Sequence, residues 1–135
     1  MKFTVFILML VLGFGSATAQ RSRFAISDSM VYYGSSDSSD HFYNKNSIEV
    51  TNYGYKVIAE SRPITDSLLI TPSQRYVISL EIDCRNSKYR MFGIKRYKYY
   101  TITSTENYTE HSGAWTDMRS GSIMESLKNI LCKEK

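Results

Sequence analysis

Residues 74–84 read QRYVISLEIDC. Every second position of this stretch carries a tyrosine or an aliphatic side chain, namely Tyr76, Ile78, Leu80 and Ile82. The positions between them are mostly polar, and this period of two is typical of a half-buried β-strand. The stretch ends at Cys84, and the second of the two cysteines is Cys132, close to the C-terminus. The sequence therefore predicts a strand that ends at a cysteine.

The residues on either side of this strand also predict strands and turns. Residues 48–60 contain two β-type runs separated by Asn52-Tyr53-Gly54, which predicts a hairpin. Residues 34–40 read GSSDSSD and predict a solvated loop, because they contain no apolar side chain. Residues 89–97 run back along the strand, and residues 99–106 continue with β-forming threonine and isoleucine. Several antiparallel strands joined by short turns result.

The C-terminal residues predict the one helix. Ser122 followed by Glu125 is a capping box, in which the serine hydroxyl accepts from a backbone N–H and the glutamate reaches back. A helix of about ten residues is marginal alone in water, so this one must pack on the sheet. Its apolar side chains recur at helical spacing, at Ile123, Leu127, Ile130 and Leu131.

The first twenty residues have the composition of an export signal. Lys2 supplies a positive charge, residues 3–14 form an apolar run, and residues 16–19 place small side chains before Gln20. We therefore expect residues 1–19 to be a cleaved signal peptide. The alternative is a retained membrane anchor, although about a dozen apolar residues fall short of the ~20 that a spanning helix requires.

The remaining residues, 20–135, are expected to fold as one domain in the periplasm or outside the cell. No second long apolar stretch follows the signal, so no transmembrane segment is expected after cleavage. The cleaved chain has 16 basic and 13 acidic side chains, a net charge of +3. This small bias does not indicate a nucleic-acid partner, and a protein or glycan partner is expected instead.

Export also bears on the two cysteines. An oxidising compartment and an even cysteine count favour a disulfide between Cys84 and Cys132. The bridge would close a loop of about 49 residues, for which chain entropy gives about 4 kcal/mol of stabilisation. Two free buried thiols are the alternative.

A set of residue types recurs in a fixed order along the chain, namely Glu81 to Cys84, Tyr89-Arg90, Trp115, Gly121-Ser122, Leu127 and Cys132-Lys133. This order resembles the surface-adhesin protein E family of exported bacterial proteins. The resemblance implies a single antiparallel sheet of about six strands, with the C-terminal helix on one face and tethered there by the disulfide. It further implies an adhesin for host matrix proteins, a possible homodimer and haem binding. The residues that carry the resemblance look structural, so they do not themselves supply these activities.

The segment 85–100 is the candidate binding surface. It contains six basic residues, no acidic residue and interleaved aromatic rings, a pattern that suits acidic protein segments, sulfated glycans or sugars. Strand alternation predicts two faces. The alternative is an ordinary exposed strand whose lysines discourage edge pairing. The predicted surface comprises Arg90, Lys95, Arg96, Tyr97, Lys98, Tyr99 and Tyr100, with Lys95, Tyr97 and Tyr99 on one face and Arg96, Lys98 and Tyr100 on the other.

Other types of site have less support. Asp37 and Asp40 lack the glycine and glutamate of a known calcium loop, so no metal site is expected. Trp115 is expected to pack in the core or against the helix. No cofactor is expected, because the candidate axial haem ligands His41, His111 and Met91 are isolated and no haem-attachment motif is present.

The functional prediction is an exported binding protein and not an enzyme, because no recognisable catalytic spacing occurs in the sequence. Two alternatives stay open. One is a structural or accessory periplasmic protein whose partner is another envelope component. The other is a carrier of a small, haem-like ligand.

Overall fold

The computed structural model describes residues 28–66, 72–107 and 113–133. The predicted α+β class is confirmed, because these residues form one antiparallel sheet and one C-terminal helix. The elements in chain order are β1 (Met30–Ser35), β2 (Ser39–Asn44), β3 (Glu49–Val50), β4 (Gly54–Pro63), β5 (Gln74–Asp83), β6 (Lys88–Lys98), β7 (Thr101–Asn107), β8 (Thr116–Asp117) and α1 (Ile123–Leu131).

The sheet has eight strands, so the prediction of about six strands was wrong. Its main path runs β1-β2-β4-β5-β6-β7. Two further strands of two residues each lie beside this path, because β3 pairs with β4 and β8 pairs with β6. Strands this short leave almost no periodic pattern in the sequence, which is why the count fell short. The predicted hairpin is confirmed, since Val50 pairs with Tyr55.

The predicted strand at residues 74–84 is confirmed as β5, which is hydrogen-bonded to β4 on one side and β6 on the other. Its partner β6 contains a bulge. Leu80 pairs with Met91 and Ser79 pairs with Gly93, so Phe92 is an extra residue in β6. A bulge shifts the alternation of side chains between the two faces of a strand.

The helix packs on one face of the sheet. Leu127 and Leu131 are buried there against Leu80 and Ile82, and burying each leucine or isoleucine contributes about 1.5–3 kcal/mol. Ile130, which was expected on the same stripe, is 37% exposed. The remaining buried members of this core cluster are Tyr33, Tyr43, Val57 and Ala59.

The helix begins at the predicted cap. The Ser122 hydroxyl accepts from the backbone N–H of Glu125 at 3.3 Å. The Glu125 carboxylate reaches back one residue further than in a standard capping box and accepts from the backbone N–H of Gly121 at 2.6 Å. The first contact satisfies an N–H group that the first helical turn leaves without a partner, and the second fixes the residue before the cap.

The disulfide between Cys84 and Cys132 is confirmed, with 5.8 Å between the two Cα atoms. It joins the end of β5 to the C-terminal cap of the helix. A second contact lies nearby, because Lys128 Nζ donates to Ser87 Oγ at 2.5 Å. The turn that follows β5 therefore holds the helix through one covalent and one polar contact.

The expected loop at residues 34–40 is shorter than predicted. Strand β1 continues to Ser35 and β2 begins at Ser39, so three residues remain between them. Asp40 is buried and accepts a hydrogen bond from the Ser35 hydroxyl. A buried carboxylate that is hydrogen-bonded explains why a sequence without apolar residues can still form strand ends. Within the part of the chain that the structure describes, no helix has the length and apolarity to cross a membrane.

Candidate functional site: the helix-free face of the sheet

The face of the sheet that α1 does not cover is called the helix-free face, and it carries most of the charged side chains of the strands. Cross-strand register places Lys56 opposite Glu81, and Glu81 opposite Arg90. Further along the same face, Lys95 lies opposite Val77. Because side chains alternate between faces along a strand, these residues point away from the helix.

Arg90 lies at the centre of a packed group, here called the Arg90 cluster and made of Tyr53, Glu81, Arg90, Phe92 and Trp115. Its Nε and Nη2 atoms donate to Glu81 Oε2 at 2.8 and 2.7 Å. Its guanidinium lies 4.6 Å from the Trp115 ring centre, 5.2 Å from that of Phe92 and 5.6 Å from that of Tyr53. Glu81 is 3% exposed, so the cluster neutralises a buried carboxylate.

The cluster changes the interpretation of two predicted residues. Arg90, expected on the binding surface, is committed to an internal ion pair. Trp115, expected in the core or against the helix, lies outside the core cluster and packs against Arg90 and Tyr53, with ring centres of Tyr53 and Trp115 5.1 Å apart. The positive charge of Arg90 favours an electron-rich ring, which explains why the tryptophan lies here.

A second buried carboxylate is neutralised in the same way. Glu60 accepts from Arg62 Nε at 2.5 Å and from Arg75 Nη1 at 3.3 Å. Arg62 lies 5.4 Å from the ring centre of Phe42, and Arg75 lies 4.2 Å from that of Tyr97. Tyr97, a predicted surface residue, therefore serves as a stacking platform for an arginine of its own chain.

Two lysines on this face form no ion pair of this kind with the described residues. Lys56 Nζ lies 4.4 Å over the ring of Phe92 and borders a cleft of about 600 Å³ that Tyr53 and Asn52 also line. Lys95 is exposed. Neither lysine has a carboxylate partner within salt-bridge distance among residues 28–66, 72–107 and 113–133. On this face Glu60 and Glu81 are buried and paired with arginines, Glu49 is exposed opposite the half-buried Lys56, and Lys95 is exposed.

The remaining predicted surface residues lie elsewhere. Arg96 is on the helix side of the sheet, where it forms an ion pair with Glu106 and donates to Ser104 Oγ at 3.1 Å. Lys98 ends β6, and Tyr99 and Tyr100 form the turn that follows, so the predicted two-face pattern was wrong beyond Lys98. The structure therefore brings together Arg90, Lys95 and Tyr97 and separates them from Arg96, Lys98, Tyr99 and Tyr100.

The strand that carries these residues is interior, which contradicts the alternative reading of its lysines as edge protection. Strand β6 pairs with β5 on one side and with β7 and β8 on the other. The two lysines of its second half, Lys95 and Lys98, consequently do not shield an edge. Sequence analysis also missed Lys56 and overlooked the role of Phe92, because their proximity depends on strand register and on the bulge.

The described candidates for axial haem ligands do not converge. His41 is on β2 and Met91 is on β6, with two strands between them, while His111 lies outside the described residues. Burial lowers the pKa of His41 even though the Asp40 charge acts in the opposite direction, and its Nε2 lies 3.0 Å from Ser36 Oγ. Among the described residues, no group of three His, Cys, Asp or Glu side chains could hold a metal ion.

Comparison with protein families agrees with this architecture of a sheet, a terminal helix and a disulfide. The family model of the surface-adhesin protein E matches residues 30–133. The chain belongs to the surface-adhesin protein E family. The matched range includes the Cys84–Cys132 disulfide and the Arg90 cluster. Comparison with curated proteins and with solved structures gives no match.

Proposed function

We propose that this member of the protein E family is an exported, non-catalytic binding protein. Residues 1–19 act as the signal peptide, and residues 20–135 form the binding domain. The partner is a protein or glycan that carries negative charge, located at the cell surface or in the periplasm. Family membership supports a surface adhesin, and the distribution of charge supports the choice of an acidic partner.

The proposal rests on Lys56 and Lys95 of the helix-free face, which have no carboxylate within salt-bridge distance among the described residues. Lys56 rests on the Phe92 ring, and Lys95 projects from the strand that carries Phe92. Two acids of this face, Glu60 and Glu81, are 6% and 3% exposed and already neutralised by arginines, whereas Glu49 on β3 is exposed and lies opposite Lys56. Lys95 lies between Val77 and Thr105, so a ligand that approaches this end of the face meets a cation first, which favours anionic groups.

A solid-phase binding assay tests the proposal. Protein comprising residues 20–135 is immobilised and titrated with heparin and with host matrix proteins at several salt concentrations. The double variant Lys56→Ala/Lys95→Ala should weaken binding about tenfold at low salt, because each uncommitted cation contributes most where screening is weak. The control is Lys45→Ala, which removes an exposed lysine outside the helix-free face.

The outcomes separate the candidate functions. Absence of binding to any of these ligands at any salt concentration refutes the adhesin. Recovery of a specific envelope component by the immobilised domain in that case supports the accessory periplasmic protein instead. Binding that the double variant and the control weaken equally shows that the helix-free face is not the binding surface.

A further inference from the structure

The turn between β6 and β7 contains an unfavourable residue. Lys98 pairs with Thr101, so Tyr99 and Tyr100 form a two-residue hairpin loop. Tyr99 has a φ of 52°, in the left-handed region that suits glycine, asparagine or aspartate. A tyrosine at this position strains the backbone, and residues strained in this way are enriched at functional sites.

A second residue with a positive φ, Ser87, has contacts that explain its conformation. Ser87 has a φ of 53° in the turn between β5 and β6. Its carbonyl accepts from the Met118 N–H at 3.0 Å, and its hydroxyl accepts from Lys128, so its conformation holds the helix and β8 in place. Tyr99 makes one backbone contact of the same type, since its N–H donates to the Ser73 carbonyl at 3.0 Å, but its side chain, unlike that of Ser87, holds no neighbouring element among the described residues.

The two tyrosines of this turn are also unusually exposed. Tyr99 is 55% exposed and Tyr100 is 82% exposed. Neither side chain forms a hydrogen bond, ring contact or cation–π contact with the described residues. Ile102, at 48% exposed, extends the patch into β7. Exposed rings that do not stabilise the fold mark an interaction site, and tyrosine is enriched at the centres of protein interfaces.

The charge beside the turn indicates the kind of partner. Lys98 is exposed and has no carboxylate within salt-bridge distance among the described residues. Of the arginines at this end of the sheet, Arg75 is paired with Glu60 and Arg96 with Glu106, while Lys95 projects from the helix-free face. One available cation next to two rings suits a polypeptide in which carboxylates alternate with small apolar side chains better than it suits a densely charged polyanion such as heparin, which needs several cations.

We propose that Lys98, Tyr99 and Tyr100 are a contact site for an acidic segment of a partner protein. The two rings pack along the segment, and Lys98 pairs with one of its carboxylates. Tyrosine is also enriched at membrane–water interfaces, so a lipid surface is the competing partner, and the vesicle titration below distinguishes it from the acidic segment. The inference rests on the proposed binding function, but it uses a different part of the molecule from Lys56 and Lys95.

The test is an NMR titration of ¹⁵N-labelled protein, residues 20–135, with a twelve-residue peptide of alternating glutamate and alanine. Shifts should concentrate at residues 98–101. Tyr100→Ala should weaken the peptide affinity about tenfold, as expected for an interface aromatic ring. Tyr99→Gly should also weaken binding while raising the melting temperature, because it removes the ring and the strain together. The matched control is Val50→Ala, which truncates an 81% exposed side chain on another hairpin.

Several results would overturn the inference. The first is an absence of shifts at residues 98–101 on titration with the peptide. The second is a peptide affinity of both Tyr99→Gly and Tyr100→Ala that lies within twofold of the parent. The third is a set of shifts at the turn with anionic vesicles or heparin but not with the peptide. Shifts at Lys56 and Lys95 alone would reject the turn and leave the helix-free face standing. If the peptide binds at the turn while Lys56→Ala/Lys95→Ala leaves heparin binding unchanged, the helix-free face is rejected as the binding surface and the turn is supported.

Discussion

Replacing Arg90 with methionine should destabilise the domain severely. Glu81 is 3% exposed, and two of its hydrogen bonds come from Arg90 at 2.8 and 2.7 Å. Removal of one partner of a buried ion pair leaves an uncompensated charge and costs about 3–5 kcal/mol. The cation–π contacts with the three rings of the Arg90 cluster add about 0.5–1 kcal/mol each at most. For a domain with a total stability of about 5–15 kcal/mol, this loss leaves little margin.

A double-mutant cycle separates the ion pair from the rings. In Glu81→Gln/Arg90→Met no unpaired charge is buried, so the double variant should be more stable than Arg90→Met alone by about 2 kcal/mol or more. The assay is urea denaturation of the oxidised domain, followed by circular dichroism and by the fluorescence of Trp115, the single tryptophan. Trp115 lies in the cluster, so agreement between the two signals checks that unfolding is two-state.

One neighbouring side chain could reduce the measured cost. Lys56 lies opposite Glu81 on β4 and could move toward the carboxylate once Arg90 is removed. The measurement is therefore repeated in a Lys56→Ala background, where Arg90→Met should show its full loss of unfolding free energy. A loss below about 1 kcal/mol for Arg90→Met in that background would refute the reasoning, as would a double variant no more stable than the single one.

Three further predictions concern stability. Cys84→Ala/Cys132→Ala should lower the free energy of unfolding by about 4 kcal/mol, measured by urea denaturation, and an unchanged midpoint would contradict a role for the bridge. Tyr99→Gly should raise it by about 1 kcal/mol in the same assay, because glycine accepts the positive φ, and a decrease would show that the ring stabilises the turn. Burial raises the pKa of Asp83, but hydrogen bonds from Asn86 and the Arg85 backbone outweigh it and lower the pKa overall. Asp83 therefore stabilises the fold above its ordinary pKa, so the deficit of Asp83→Asn should be present at pH 7 and should disappear as the pH falls below that ordinary value and through the lowered pKa, and a deficit independent of pH would refute this.

Local patterns in the sequence predicted the parts of the fold that depend on local physics. The alternation at residues 74–84 predicts a strand because apolar residue types indicate buried positions and polar types indicate exposed ones. Strand β5 confirms this prediction. The Ser122 cap is likewise a contact between residues three apart. The disulfide followed from compartment and cysteine count alone. Each of these inferences needed no knowledge of which strands are neighbours.

The candidate site could not be predicted in the same way, because it depends on pairing between distant segments. Arg90 and Lys95 are separated by an odd number of positions, so regular alternation would place them on opposite faces of β6. The bulge at Phe92 shifts the alternation and brings both to the helix-free face. Lys56 joins them only through the register of β4 against β5. The sequence contained the residue types of the site but not their arrangement.

Stability and binding depend on different side chains and not on different faces, because the helix-free face also carries the Glu81–Arg90 pair on which folding depends. The helix side is held by an apolar core, a capped helix and a disulfide with about 4 kcal/mol of stabilisation. The strain at Tyr99 costs about 1–2 kcal/mol, which is less than the bridge contributes. The domain can therefore retain a strained turn and an exposed lysine, Lys95, that forms no ion pair with the described residues. It follows that stability and binding should respond to different substitutions: changes at Lys56, Lys95 and Tyr100 should alter binding with little effect on unfolding, whereas loss of the disulfide should alter unfolding first.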